Sequence, residues 1–131
     1  MPIETSHIEQ ILGHKGNVRG GVFQVNVPRA KAPKHGNMEI TNSMDISTVL
    51  TFQPTGEGRA ATTGDFVLEA NEVNPVIRAL HENGIDITAL HSHMLDEQPR
   101  LFLMHFWAND DLVRLAKGLR AALNKTGSTK Q

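Results

Sequence analysis

Cysteine is absent from this 131-residue chain, so disulfides, thiolate metal sites and a cysteine nucleophile are excluded at the outset. Neither sign of charge is in excess: 13 Lys and Arg stand against 14 Asp and Glu. That balance gives no reason to expect nucleic acid or a membrane surface as a partner. The N-terminus, MPIETS, has neither a basic stretch nor an apolar run, and no later run is long enough to span a bilayer. As written, the chain is expected to be cytoplasmic, with the proviso that a signal peptide already removed would leave no trace. Repeats, heptads and low-complexity segments are missing as well. Gly56-Glu-Gly58 is a turn between strands, so no phosphate-cradling loop leads into a helix.

What is present suffices for one domain over residues 1–131 with a real apolar core, ending in a polar, frayed tail from about residue 124. Ser6 and Glu9 have the spacing of a capping box, and Ile8, Ile11 and Leu12 stripe one short helix that Gly13 stops. From residue 19 to 27, Phe23, Val25 and Val27 alternate with Gln24 and Asn26 as in a strand, which Pro28 closes. Residues 29–37 read as a polar loop. Residues 38–52 carry the clearest period of two. Met38, Ile40, Met44, Ile46, Leu50 and Phe52 fall on one parity, with Asn42 and Thr48 as polar exceptions. Fifteen residues is long for one strand, so a bend or bulge near residue 42, or a division into two strands, is expected.

Residues 59–69 predict another strand, interrupted at Gly64 by a bulge or a close approach. A helix follows, capped by Asn71 or Asn74, with Pro75 in its first turn and Asn83-Gly84 at its end. Val73, Val76, Ile77 and Leu80 form its buried stripe. A last helix, capped by Asn109 or Asp110, places Leu112, Leu115, Ala116, Leu119 and Leu123 on one side. Its acidic start and basic end match the macrodipole. The order predicts an α+β domain: an antiparallel or mixed sheet of about five to six strands, with helices packed mainly on one face.

The densest chemistry lies in residues 87–107. Two apolar strands joined by a polar turn near residues 96–99 would set Ile87, Ala89, His91 and His93 against Leu101, Leu103, His105 and Trp107. His105 would then lie opposite His91 or His93, within cross-strand reach. Three imidazoles converging on a sheet face predict a transition-metal site. Ser92 points to the other face of a regular strand, which argues against a Ser–His nucleophile. His7, His14 and His35 are expected to be solvated, and His81 structural or exposed.

Residues 64–80 (GDFVLEANEVNPVIRAL), 84–95 (GIDITALHSHML), 99–105 (PRLFLMH) and 115–123 (LAKGLRAAL) together resemble the LppY/LpqO family. The likeness runs from about Val22 to Leu123. That family is bacterial and of largely unknown function, so the resemblance implies a fold unit and a signature, not a reaction. Ser92 stands where the family signature has Asn. Some members of the family are lipoproteins, a setting at odds with the lack of an export signal here.

His91, His93 and His105 are thus the expected metal ligands, with one coordination position open as in catalytic zinc sites. Asp65, Glu69, Glu72, Asp96 and Glu97 are candidate carboxylates. Glu72 is favoured as the catalytic base, because it falls within the LppY/LpqO-like motif on a helix that must dock on the sheet. The reading is a metal-binding domain, with zinc the foremost divalent ion, acting as a small hydrolase or lyase through metal-bound water. The alternative is a non-enzymatic module for a small ligand or for homodimerisation, with a structural histidine cluster. A His-X-His followed by Glu97 also resembles a cupin motif, but the later glycine is missing and two long helices are foreign to a jelly roll.

Overall fold

The computed structural model describes residues 5–30, 34–35, 38–39, 47–92 and 100–127. Their order is α1 (Thr5–Leu12), β1 (Gly16–Arg19), β2 (Val22–Val27), β3 (Lys34–His35), β4 (Met38–Glu39), β5 (Thr48–Gly56), β6 (Arg59–Glu69), α2 (Ala70–Glu82), β7 (Asp86–Ser92), β8 (Leu101–Asp111) and α3 (Leu112–Leu123). Six strands form one antiparallel sheet in the order β1-β2-β5-β6-β8-β7, and β3 pairs with β4 alone. The α+β expectation, with five to six strands and helices on one side, describes this architecture. Among the described residues, no helix is long and apolar enough to cross a membrane.

Strand alternation decides which face is covered. On β6, Phe66 and Leu68 are buried toward the helices, and so are Leu50 and Phe52 on β5, Phe23 and Val25 on β2, and Met104 and Phe106 on β8. They meet Val76 and Leu80 of α2 and Leu115 and Leu119 of α3, while α1 packs through Ile8 and Leu12. Both helices of the second half present the stripes read from the sequence. The opposite face of the sheet carries Asp65, Thr63, His105 and Trp107, and it is the face that matters for chemistry.

Gly64 is a close-approach point rather than a bulge, since its pairing with Leu50 and Phe106 continues without a register shift. Its φ is 152°, and a Cβ there would lie 1.9 Å from the Val49 carbonyl oxygen. Only glycine lets β5 and β6 approach in this way.

Several local expectations are corrected. The single strand expected over residues 19–27 is instead broken into a hairpin: residues 16–19 form β1, turned back onto β2 through Gly20 and Gly21, both at positive φ as a tight hairpin needs. Ser6 lies inside α1, and the Glu9 carboxylate accepts from the Gly16 amide instead of closing a capping box on Ser6. Pro75 is the sixth residue of α2, beyond the first turn, because the helix starts at Ala70 with Glu69 as its N-cap. The cap of α3 is Asp111, whose carboxylate accepts from the Arg114 amide, one residue later than expected. His14 is 6% exposed, not solvated. Within residues 38–52, Met38 belongs to β4 and Leu50 and Phe52 to β5; residues 40–46, where the bend was expected, lie outside the described residues. Thr48 is buried because its hydroxyl accepts from the Val67 amide just past the last β5–β6 pair.

Candidate functional site

β8 runs between β6 and β7, so its open-face residues Leu103, His105 and Trp107 have neighbours on both sides. His105 pairs with Asp65 of β6 and with Ala89 of β7. Its Nδ1 is 3.0 Å from Asp65 Oδ1, and its Nε2 is 3.2 Å from Thr63 Oγ1. An ionised carboxylate only accepts, so Nδ1 is the protonated nitrogen of a neutral ring facing Asp65. The single hydroxyl proton of Thr63 is directed at the Phe106 carbonyl oxygen, 2.8 Å away. Nε2 therefore faces a hydroxyl lone pair. In the neutral ring its own lone pair stays uncommitted, while a protonated ring would donate there. Both side chains are half exposed, 45% for His105 and 38% for Asp65, which leaves the imidazole accessible from outside.

His91 lies on β7, at the edge of the sheet, and is exposed. It pairs with Leu103, not with His105, because the register places Ala89 opposite His105. His91 and His105 are therefore diagonal neighbours on one face, a relation that in sheets spans about 7–8 Å. The Nδ1 of His91 lies 3.1 Å from the Ser92 carbonyl oxygen. A register shift between Ile87 and Ala89 sends Ile87 to the helix side, where it packs on the core. The expected set of Ile87, Ala89 and His91 on one face is corrected by that bulge. Ser92 pairs with Phe102 and does not share the face of His91. His93, Asp96 and Glu97 lie outside the described residues. Among the described residues, no group of three or more His, Asp or Glu side chains is placed to hold a metal ion.

Glu72 is engaged elsewhere. Its carboxylate accepts from the Glu69 amide at 2.7 Å, from Arg29 Nη1 at 2.8 Å and Nη2 at 3.1 Å, and from the Gly127 amide at 2.6 Å. The first contact is half of a capping box that starts α2 directly from the end of β6. Arg29, 7% exposed, also donates to Glu69 and to the Val67 carbonyl oxygen. The Arg29–Glu72 ion pair is thus largely buried. Glu69, the near end of this network, is four residues along β6 from Asp65, or about 13 Å. The carboxylate that meets an imidazole is thus Asp65, one of the sequence candidates, and Glu72 makes no described contact with a histidine.

The rest of the open face grades in character along the strands. Val67 and Leu101 are buried there, with Leu103 packed on them. Beyond the His105 level the face turns polar, and one cross-strand row reads Asn17, Gln24, Thr51, Thr63, Trp107 and Asp86. Trp107 is 47% exposed in that row. Alternation marks these residues as outward-facing, but the order of strands, which no local pattern encodes, decides that they adjoin.

Comparison with curated proteins found no match, and comparison with solved structures found none either. A family model described as a Domain of Unknown Function (DUF1259) matches residues 6–125, from α1 through α3 and across every strand of the sheet, and the chain belongs to that family.

Proposed function

We propose that this domain binds a divalent transition-metal ion, zinc foremost, on the open face of its sheet, with His105 Nε2 as the anchoring ligand and His91 beside it. The observation that carries the reading is the hydrogen bond from His105 Nδ1 to Asp65. A carboxylate behind the far nitrogen fixes the tautomer and the ring orientation, the usual outer shell of a metal-bound histidine. Two ligands hold a metal weakly, and His93, the residue after Ser92 in the chain, supplies the third imidazole of the set expected from the sequence. The finer likeness to LppY/LpqO proteins belongs to the same reading, since the histidine segment is part of that signature.

Metal-bound water would be the nucleophile of a hydrolase or lyase at such a site. The base expected for that chemistry, Glu72, has its oxygens taken by Arg29 and two backbone amides. The proposal therefore rests on binding, with the reaction as its extension. Metal analysis of tag-free protein is the test. One equivalent of zinc is expected in the wild type, with loss in His105→Ala and in His91→Ala. Substoichiometric metal in the wild type, or equal metal in all three proteins, would overturn the proposal.

A further inference from the structure

At the other end of the open face, the β1–β2 hairpin forms a concavity of about 160 Å³ lined by Lys15, Asn17, Arg19, Gln24 and Asn26. Asn17 and Arg19 share one side of β1, Lys15 immediately precedes the strand, and Asn17 pairs with Gln24 across the ladder. The lining holds two cations and three amides and no carboxylate. Neither Lys15 nor Arg19 has an ion-pair partner among the described residues. The Gln24 side-chain amide donates to Asn26 Oδ1 at 3.0 Å, which satisfies that acceptor and leaves the Asn26 NH₂ free to donate outward.

We infer that this concavity is a binding site for an oxyanion, a phosphate, sulfate or carboxylate group carried by a small molecule. An anion in this space would have two positive groups in its lining and no carboxylate to oppose it. The Arg19 guanidinium offers a planar fork that matches any of the three groups in bidentate fashion, while Lys15 adds a mobile point charge. Asn17 and Asn26 supply neutral donors that bulk screening by chloride cannot replace. The volume is about five times the share of one water in the liquid, enough for one such group and part of its hydration. The site stands three strand steps from Trp107 along the polar row through Gln24, Thr51 and Thr63, about 14 Å. It requires nothing of the metal proposal and fails or stands separately from it.

Amide-resolved NMR titration of the full chain with sodium phosphate, sulfate and acetate, each against sodium chloride at equal ionic strength, tests the inference. At least one of the three is expected to give saturable shifts centred on Asn17, Gln24 and Asn26, and the one that does names the group. Arg19→Gln is expected to weaken the midpoint at least tenfold, and Asn17→Asp, which puts a carboxylate at the centre, to abolish saturation. Both positions are exposed, and unchanged spectra elsewhere would show that the variants are folded. Shifts reproduced by chloride, shifts that do not saturate, or a midpoint that neither substitution moves would each overturn it.

Discussion

The chemistry of this molecule is settled side chain by side chain, and His105 is the clearest instance. Its two nitrogens are differently placed: Nδ1 against the Asp65 carboxylate, Nε2 against a hydroxyl whose proton is used by a backbone carbonyl. If Asp65 orients a ligand, Asp65→Asn should lower zinc affinity by about 10- to 100-fold while His105 remains in place, as read by competition with a chromophoric chelator. Equal affinity would mean that Asp65 only packs. Thr48 makes a second point at the same scale. It broke the apolar alternation in the sequence, and the structure uses it to satisfy the Val67 amide where the β5–β6 ladder stops. Thr48→Val keeps the shape and removes the acceptor, so unfolding by urea should show a loss of about 1–3 kcal/mol. Both roles were hidden for one reason: a polar residue at an inward or outward parity announces its direction, while its partner depends on which strand lies alongside.

Whole elements were more legible than their ends. The stripes of α2 and α3 follow a 3.6-residue period that tertiary packing reinforces, and both appear as read. Boundaries depend on which of several competent caps wins. Asn71 and Asn74 lost to Glu69, because Glu72 could answer it in a capping box while also accepting from Arg29 and Gly127. No local pattern contains that outcome, since Arg29 is 43 residues away. The same network explains why Glu72, attractive in sequence, is occupied: it joins the end of β6, the start of α2 and the segment after α3. Ala30 donates to the Gly127 carbonyl oxygen at 2.8 Å and completes the tie. Arg29→Met would strand the Glu72 carboxylate, whose side chain is 12% exposed, and should destabilise the fold by about 3 kcal/mol in chemical denaturation. Arg29→Lys should recover only part of this, because a point charge cannot reproduce the bidentate bond and the bond to Val67 together. Full recovery with lysine would show that charge, not the fork, holds the junction.

At the scale of the whole molecule, a six-stranded sheet hides one face under helices and leaves the other to present side chains. The alternation in the sequence separates these two sets, and so the existence of an open, polar face was readable. The strand order was not, because β8 inserts between β6 and β7. That insertion puts Asp65 beside His105 and moves His91 to the sheet edge. It also makes the proposed metal site a junction of three strands whose order exists only in the folded state. A ligand that binds the native state and not the unfolded chain must raise stability by mass action, by about 2.7 kcal/mol at 100 times its dissociation constant. For a domain of this size each kcal/mol is about 3–5 °C in the unfolding midpoint, so saturating zinc should raise it by roughly 10 °C. His105→Ala should remove that shift, whereas Arg19→Gln, at the far hairpin, should leave it intact. A midpoint that zinc raises equally in His105→Ala would place the ion on other residues and separate zinc binding from the Asp65–His105 pair.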